Sequence, residues 1–251
     1  MILEEPFAHG NSPLHRCDPR VKVVGAVVYA TVVVILSSLM ISIGALFFSI
    51  MLAAVARLSL SRVIARLLIA NIFIGFLWLV VPWTFGGEPV LTVGSLALTR
   101  EGLLRCLLIT VKCNAILVGT LSLLGTSKVF DIAHALLFFK LPKALVVLLF
   151  FSFRYLHVIH AEFHSLQNAM DIRSFRPHTN IRTYRTYANL VGQLFVRSND
   201  RATRIYQAML CRGFTGDFPL IDSCSLRRND CILGTIIILG SVTIGVIECL
   251  T

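Results

Sequence analysis

The chain has 251 residues, of which 56% are hydrophobic and 14% charged, with a net charge of +10 and a mean hydropathy of +0.81. A soluble domain carries about 25% charged residues, so this composition excludes an ordinary globular fold and points to an all-α polytopic membrane protein. The positive charge does not indicate nucleic-acid binding: the basic residues lie beside apolar segments, as membrane proteins place them in cytoplasmic loops.

The N-terminus, Met1-Ile-Leu-Glu-Glu-Pro, is polar and acidic, so no removable signal peptide is expected. Residues 1–22 read as a cytoplasmic segment ending in Asp18-Pro19-Arg20-Val21-Lys22. Asp18 can cap the helix that follows and Pro19 can occupy its first turn, while Arg20 and Lys22 would hold the headgroup boundary.

From Val23 to Ala56 there is no Asp, Glu, Lys, Arg or His. At 1.5 Å per residue, such a run as one helix would reach about 51 Å, well beyond a hydrocarbon core of about 30 Å. Two short spans, 23–39 and 41–56, fit better, with Ser37-Ser38 and Ser42-Ile43-Gly44 near the middle of the run to make the turn. A third span is expected over 67–85, closing at Pro82-Trp83-Thr84-Phe85-Gly86-Gly87, and a fourth over 103–124. This four-span region, 23–124, precedes a basic region at 125–230 and a fifth span at 231–250. Residues 142–160 start apolar and then acquire Arg154, His157 and His160, so they read either as a sixth span or as a helix along the inner face.

Arginine and lysine set the orientation. With the N-terminus inside, three cationic residues lie in the tail, three in the 57–66 loop and fourteen in 125–230, against Arg100 alone in the outer loop at 86–101. Within the fourth span, Arg105 can snorkel from its outer end. Lys112 lies deeper and implies either a pathway or a polar packing partner. Cys106, Cys113, Cys231 and Cys249 lie in or beside apolar segments and read as small hydrophobes.

One pattern occurs twice. Ala169-Met170-Asp171-Ile172-Arg173-Ser174-Phe175 returns 39 residues later as Ala208-Met209-Leu210-Cys211-Arg212-Gly213-Phe214. Each copy falls at the expected end of an amphipathic helix, stopped by Arg176-Pro177 in the first case and by Gly213 and Gly216 in the second. An arginine in a last helical turn complements the helix dipole and can present its five-donor fork to carboxylates or carbonyls of a partner. Capping and headgroup binding are the simpler alternative for either copy taken singly.

Paired arginine motifs on cytoplasmic helices resemble the Ala-Arg-Gly signatures of the transmembrane T component of energy-coupling factor transporters. The stretch Asn11-Ser12-Pro13-Leu14-His15-Arg16-Cys17-Asp18-Pro19-Arg20-Val21-Lys22 is similar to the start of the cobalt-type members, CbiQ. Leu98-Thr99-Arg100-Glu101-Gly102, Leu141-Pro142-Lys143 and Arg154-Tyr155 extend the resemblance over essentially the whole chain. It implies a non-catalytic scaffold subunit in a bacterial or archaeal cell membrane, with a separate membrane subunit capturing the substrate. Two ABC-type ATPase subunits would be docked by Arg173 and Arg212, with Ser174, Gly213, Ala169 and Ala208 forming their immediate setting. Neither copy is literally Ala-Arg-Gly, because Ile172 and Cys211 stand where the family has alanine and Ser174 replaces one glycine.

The chain has no GxxxxGK[ST] loop, so ATP hydrolysis is expected in partner chains and no cofactor is expected here. His157, His160 and His164 share one helix face. They suggest a metal site or, as a rival of another class, an intramembrane enzyme; with no Asp or Cys to complete a cluster, no metal is assigned. Cobalt is the expected substrate, with nickel or a vitamin as the alternative for the same type of subunit.

Overall fold

The computed structural model describes residues 12, 14–15, 17–84, 89–93, 96–139, 142–214 and 228–250. Its helices are α1 (Pro19–Ile35), α2 (Leu39–Val55), α3 (Leu60–Thr84), α4 (Arg100–Leu123), α5 (Val129–Phe138), α6 (Lys143–Ile172), α7 (Ile181–Cys211) and α8 (Arg228–Leu250). Between α3 and α4 two short antiparallel strands, β1 (Pro89–Val93) and β2 (Leu96–Thr99), pair from Val93↔Leu96 outward. The protein is therefore a polytopic all-helical membrane protein carrying one small hairpin.

The long apolar block breaks into two helices as expected, but a few residues earlier than the limits at 39 and 41: α1 stops at Ile35, Ser37 and Ser38 lie in the turn, and α2 starts at Leu39 with Ser42-Ile43-Gly44 inside it. Helices α3, α4 and α8 each begin before the apolar run, at Leu60, Arg100 and Arg228, because polar residues supply their first turns. Among the described residues, three helices are long and apolar enough to cross a membrane: α3, α4 and Ala144–Ile172 of α6. Leu39–Val55 and Ile232–Glu248 are shorter apolar helices. Along α3, Ile69, Ile72 and Phe73 are about 70% exposed at 71%, 74% and 69%, as side chains facing lipid would be.

The chain forms two units: Met1–Phe139 with Cys224–Thr251, and Lys140–Ser223. In the first, α1 packs against α4, α5 and α8, and α2 against α4 and α8. Its centre is Tyr29, fully buried with Val33, Leu36, Ala45 and Ala115. The Tyr29 hydroxyl donates to the Ala45 carbonyl at 2.9 Å, which satisfies the one polar atom that this ring carries into the core. Gly119 is required for that fit, since a Cβ there would lie 2.3 Å from the ring. A second cluster, Leu14, Ala26, Leu52, Ala56, Leu123 and Ile237, draws the segment before α1 into the same core.

Two polar contacts close the other ends of these helices. Lys112 Nζ donates to the Val34 carbonyl at 3.0 Å, in the last turn of α1. That is the polar packing partner foreseen for a lysine inside a span. Glu248 Oε1 accepts from the Ser37 and Ser38 amides at 2.6 and 3.0 Å, holding α8 to the α1–α2 turn.

Candidate functional site

The two copies of the repeated pattern fold into the same object. At the end of α6 the Ser174 amide donates to the Asp171 carbonyl at 2.9 Å and the Phe175 amide to the Met170 carbonyl at 3.1 Å. At the end of α7 the Gly213 amide donates to Leu210 at 3.0 Å and the Phe214 amide to Met209 at 3.1 Å. These crossed bonds are a Schellman motif, which satisfies carbonyls that a helix end otherwise leaves open. Arg173 and Arg212 are the cap residues, with φ/ψ of −80°/15° and −91°/10°. Ser174 and Gly213 follow in the left-handed region at φ 59° and 78°.

Burial repeats as well. In both copies the alanine and arginine are exposed, the methionine and phenylalanine half-buried, and the intervening positions exposed. Met170 and Phe175, like Met209 and Phe214, thus anchor each helix end while the arginine stays accessible. Phe175 packs edge-on to Tyr187 of α7 at 6.0 Å between centroids. Ala169 and Ala208 stand four residues before their arginines, on the same helix face, so no bulky neighbour crowds either guanidinium. Each cation also sits at the negative end of a helix dipole.

The stop at the first copy differs from expectation. Arg176-Pro177 does not end α6; Ser174 does, by taking the left-handed conformation three residues before the proline. Gly213 ends α7 as expected, while Gly216 lies outside the described residues. The glycine of the family signature thus has a physical reason, because a residue with a Cβ loses roughly 1–2 kcal/mol in this region. Ser174→Gly should tighten the end of α6 by about 1 kcal/mol, and Gly213→Val should loosen the end of α7 by at least as much. Hydrogen-exchange protection of the Phe175 and Phe214 amides measures both changes.

Within the same unit, α6 and α7 are tied by Glu162, which pairs with Arg197 and, at 3.3 Å, with Arg201. His160 and His164 face each other with their Nε2 atoms 3.0 Å apart. No group of three His, Cys, Asp or Glu able to hold a metal occurs among the described residues.

The Asp18-Pro19-Arg20-Lys22 group divides by role. Asp18 caps α1 as expected, accepting the Arg20 amide at 2.9 Å, and Pro19 opens the helix. Arg20 lies 4.6 Å over the Phe138 ring of α5. Lys22 does not hold the headgroup boundary. It is 2% exposed and donates to Ser127 Oγ at 2.8 Å, because its stem points into the bundle from the face that α1 presents to α5 and α8. Asp18, Asp131 and Asp230 are its neighbouring charges. Asp131 and Asp230 each stand in the first turn of a helix, α5 and α8. Cys17 completes the cluster: burial, then the charge of Asp230 with which it hydrogen-bonds, pushes its thiol up to about 11. It therefore stays protonated and structural rather than reactive.

A sequence model of the CbiQ family, described as cobalt transport protein, matches residues 10–220. This chain belongs to the CbiQ family. It is also 26% identical over 227 residues to the energy-coupling factor transporter transmembrane protein EcfT of Streptococcus equi subsp. equi (strain 4047), covering 84% of this chain and 82% of that protein. A CbiQ member is a transport subunit. The family match spans both arginine helix ends and most of the buried lysine cluster. Sequence reasoning missed Ser127, Asp131 and Asp230, because nothing in linear spacing shows that three helix starts meet around one lysine. The aspartates in two first turns were the available signal.

Proposed function

We propose that this chain is the scaffold and coupling subunit of an ATP-driven importer for cobalt ions, docking two ABC-type ATPase subunits through Arg173 and Arg212. The duplicated helix end carries this reading. Two exposed arginines with the same backbone, dipole and neighbours are what a pair of identical partners would require. A substrate-capture subunit in the membrane would receive the movement. The description of the matching family as cobalt transport protein supports cobalt over nickel or a vitamin.

The buried cluster supports a topology. Lys22 at the start of α1 bonds to Ser127 just after α4, and α1 packs along α8, whose Asp230 is a neighbouring charge of both Cys17 and Lys22. These three ends share one side of the membrane, so residues 128–229 cross it an even number of times. Helix α7 carries Arg182, Arg185, Arg197, Asp200, Arg201 and Arg204, too many charges for a span. Helix α5 has only ten residues. With no second crossing to pair with it, α6 does not span despite its length, and both arginine ends face the same compartment as the N-terminus. Five spans, α1 to α4 and α8, remain, and the excess of cations puts the shared side in the cytoplasm.

Thiol labelling tests this arrangement. Cys211 is exposed beside Arg212. A membrane-impermeant maleimide should reach it only in inside-out vesicles, and should reach a Val90→Cys thiol only from the opposite side. Labelling of Cys211 from outside intact cells would overturn both topology and docking.

A further inference from the structure

His160 and His164 stand four residues apart on α6, with their Nε2 atoms 3.0 Å apart and their rings nearly perpendicular at 89°. Two histidines at this spacing project from one helix face, one turn apart, which is how a single helix chelates a metal ion. With metal–nitrogen distances of about 2.1 Å, ligands at a right angle lie about 3.0 Å apart, and tetrahedral ligands about 3.4 Å. The observed separation is that of two neighbouring ligands in a square-planar or tetragonal shell, the geometry of Cu2+ and Ni2+. Without an ion the contact is a hydrogen bond, in which one Nε2–H donates to the Nε2 of the other ring. With an ion, each neutral ring keeps its proton on Nδ1, and the broad χ2 torsion lets both lone pairs turn to one point.

The pair stands two residues before and two after Glu162, so each imidazole lies about 160° around the helix from that carboxylate. Glu162 is the residue that meets Arg197 and Arg201 of α7, so the imidazoles face away from α7. His164 is exposed and His160 half-buried, with Phe163 packed edge-on to the His164 ring at 5.9 Å. We propose that His160 and His164 chelate one divalent transition-metal ion of the copper or nickel kind. No third His, Cys, Asp or Glu joins them among the described residues, so water completes the shell and the ion stays exchangeable. The bound ion bridges the turn of α6 that contains Glu162 and stiffens the point from which α7 is held. The site uses neither Arg173 nor Arg212, so its failure would leave the docking reading untouched.

Calorimetric titration of the full chain, purified in mild detergent without a polyhistidine tag, tests it with nickel chloride. One Ni2+ should bind tightly per chain, and excess Mg2+, which takes oxygen ligands, should not compete. His160→Ala and His164→Ala should each weaken that binding about a hundredfold, the low end of the gain from joining two sites on one scaffold. His157→Ala should leave it unchanged. The native chain supplies a second measurement that needs no variant: electron paramagnetic resonance of bound Cu2+ should show coupling to two nitrogens. Equal Ni2+ affinity in the native chain and the His160→Ala, His164→Ala double variant would overturn the proposal. So would a Cu2+ spectrum without coupling to two nitrogens.

Discussion

The double variant Arg173→Ala, Arg212→Ala is expected to reach the membrane in normal amount and to recover almost no ATPase on purification. Neither residue lies in a span, and both are exposed cap residues whose backbone bonds do not depend on the side chain. Losing a hydrogen-bonded arginine at an interface costs about 2–5 kcal/mol, so removing one at each of two docking points weakens assembly by orders of magnitude. Uptake of cobalt should fall with it. Single variants should retain partial assembly, because one arginine end remains. Lysine keeps the charge but not the planar fork, so Arg173→Lys with Arg212→Lys should fall between the native chain and the alanine pair. Normal complex yield and uptake in the alanine pair would reduce both arginines to helix-end caps.

Lys22→Met should produce the second largest effect, on stability rather than docking. Methionine keeps most of the stem but leaves Ser127 without its donor, and removes the buried cation that the charges of Asp18, Asp131 and Asp230 face. Removing one member of a buried charge set costs about 3–5 kcal/mol. For a chain of this size that lowers the unfolding temperature by on the order of 10 °C. Thermal unfolding of the purified protein in detergent measures it. A Lys22→Met protein that melts with the native one would show that the cluster contributes nothing to holding α1, α5 and α8 together.

Much of the fold was legible because membrane spans are written in composition. The run from Val23 to Ala56 had to break, but of the two polar spots near its middle only Ser37-Ser38 is the turn, while Ser42-Ile43-Gly44 continues α2. The repeat was legible because a Schellman end imposes a fixed order of residue types, so two copies of the structure require two copies of the pattern. Three features were not legible. Ser174 can take the left-handed region, but serine is not a signal for it, and the proline farther on drew the expected stop too late. Lys22 looked like an interface lysine because linear sequence shows its distance from the span, not the direction of its stem. Helix α6 is apolar enough to cross, and only the contacts among Lys22, Ser127, Cys17 and Asp230, more than a hundred residues apart, argue that it does not.

Crosslinking from the two alanines beside the arginines tests the central claim most directly. Photoreactive residues at Ala169 and Ala208, introduced singly and irradiated in native membranes, sit four residues before Arg173 and Arg212 on the same exposed faces. The account predicts that each yields an adduct with a Walker-motif ATPase, and that a chain carrying both yields a species with two ATPase subunits attached. Adducts with lipid alone at both positions, while the ATPase still co-purifies, would place docking elsewhere and contradict the account.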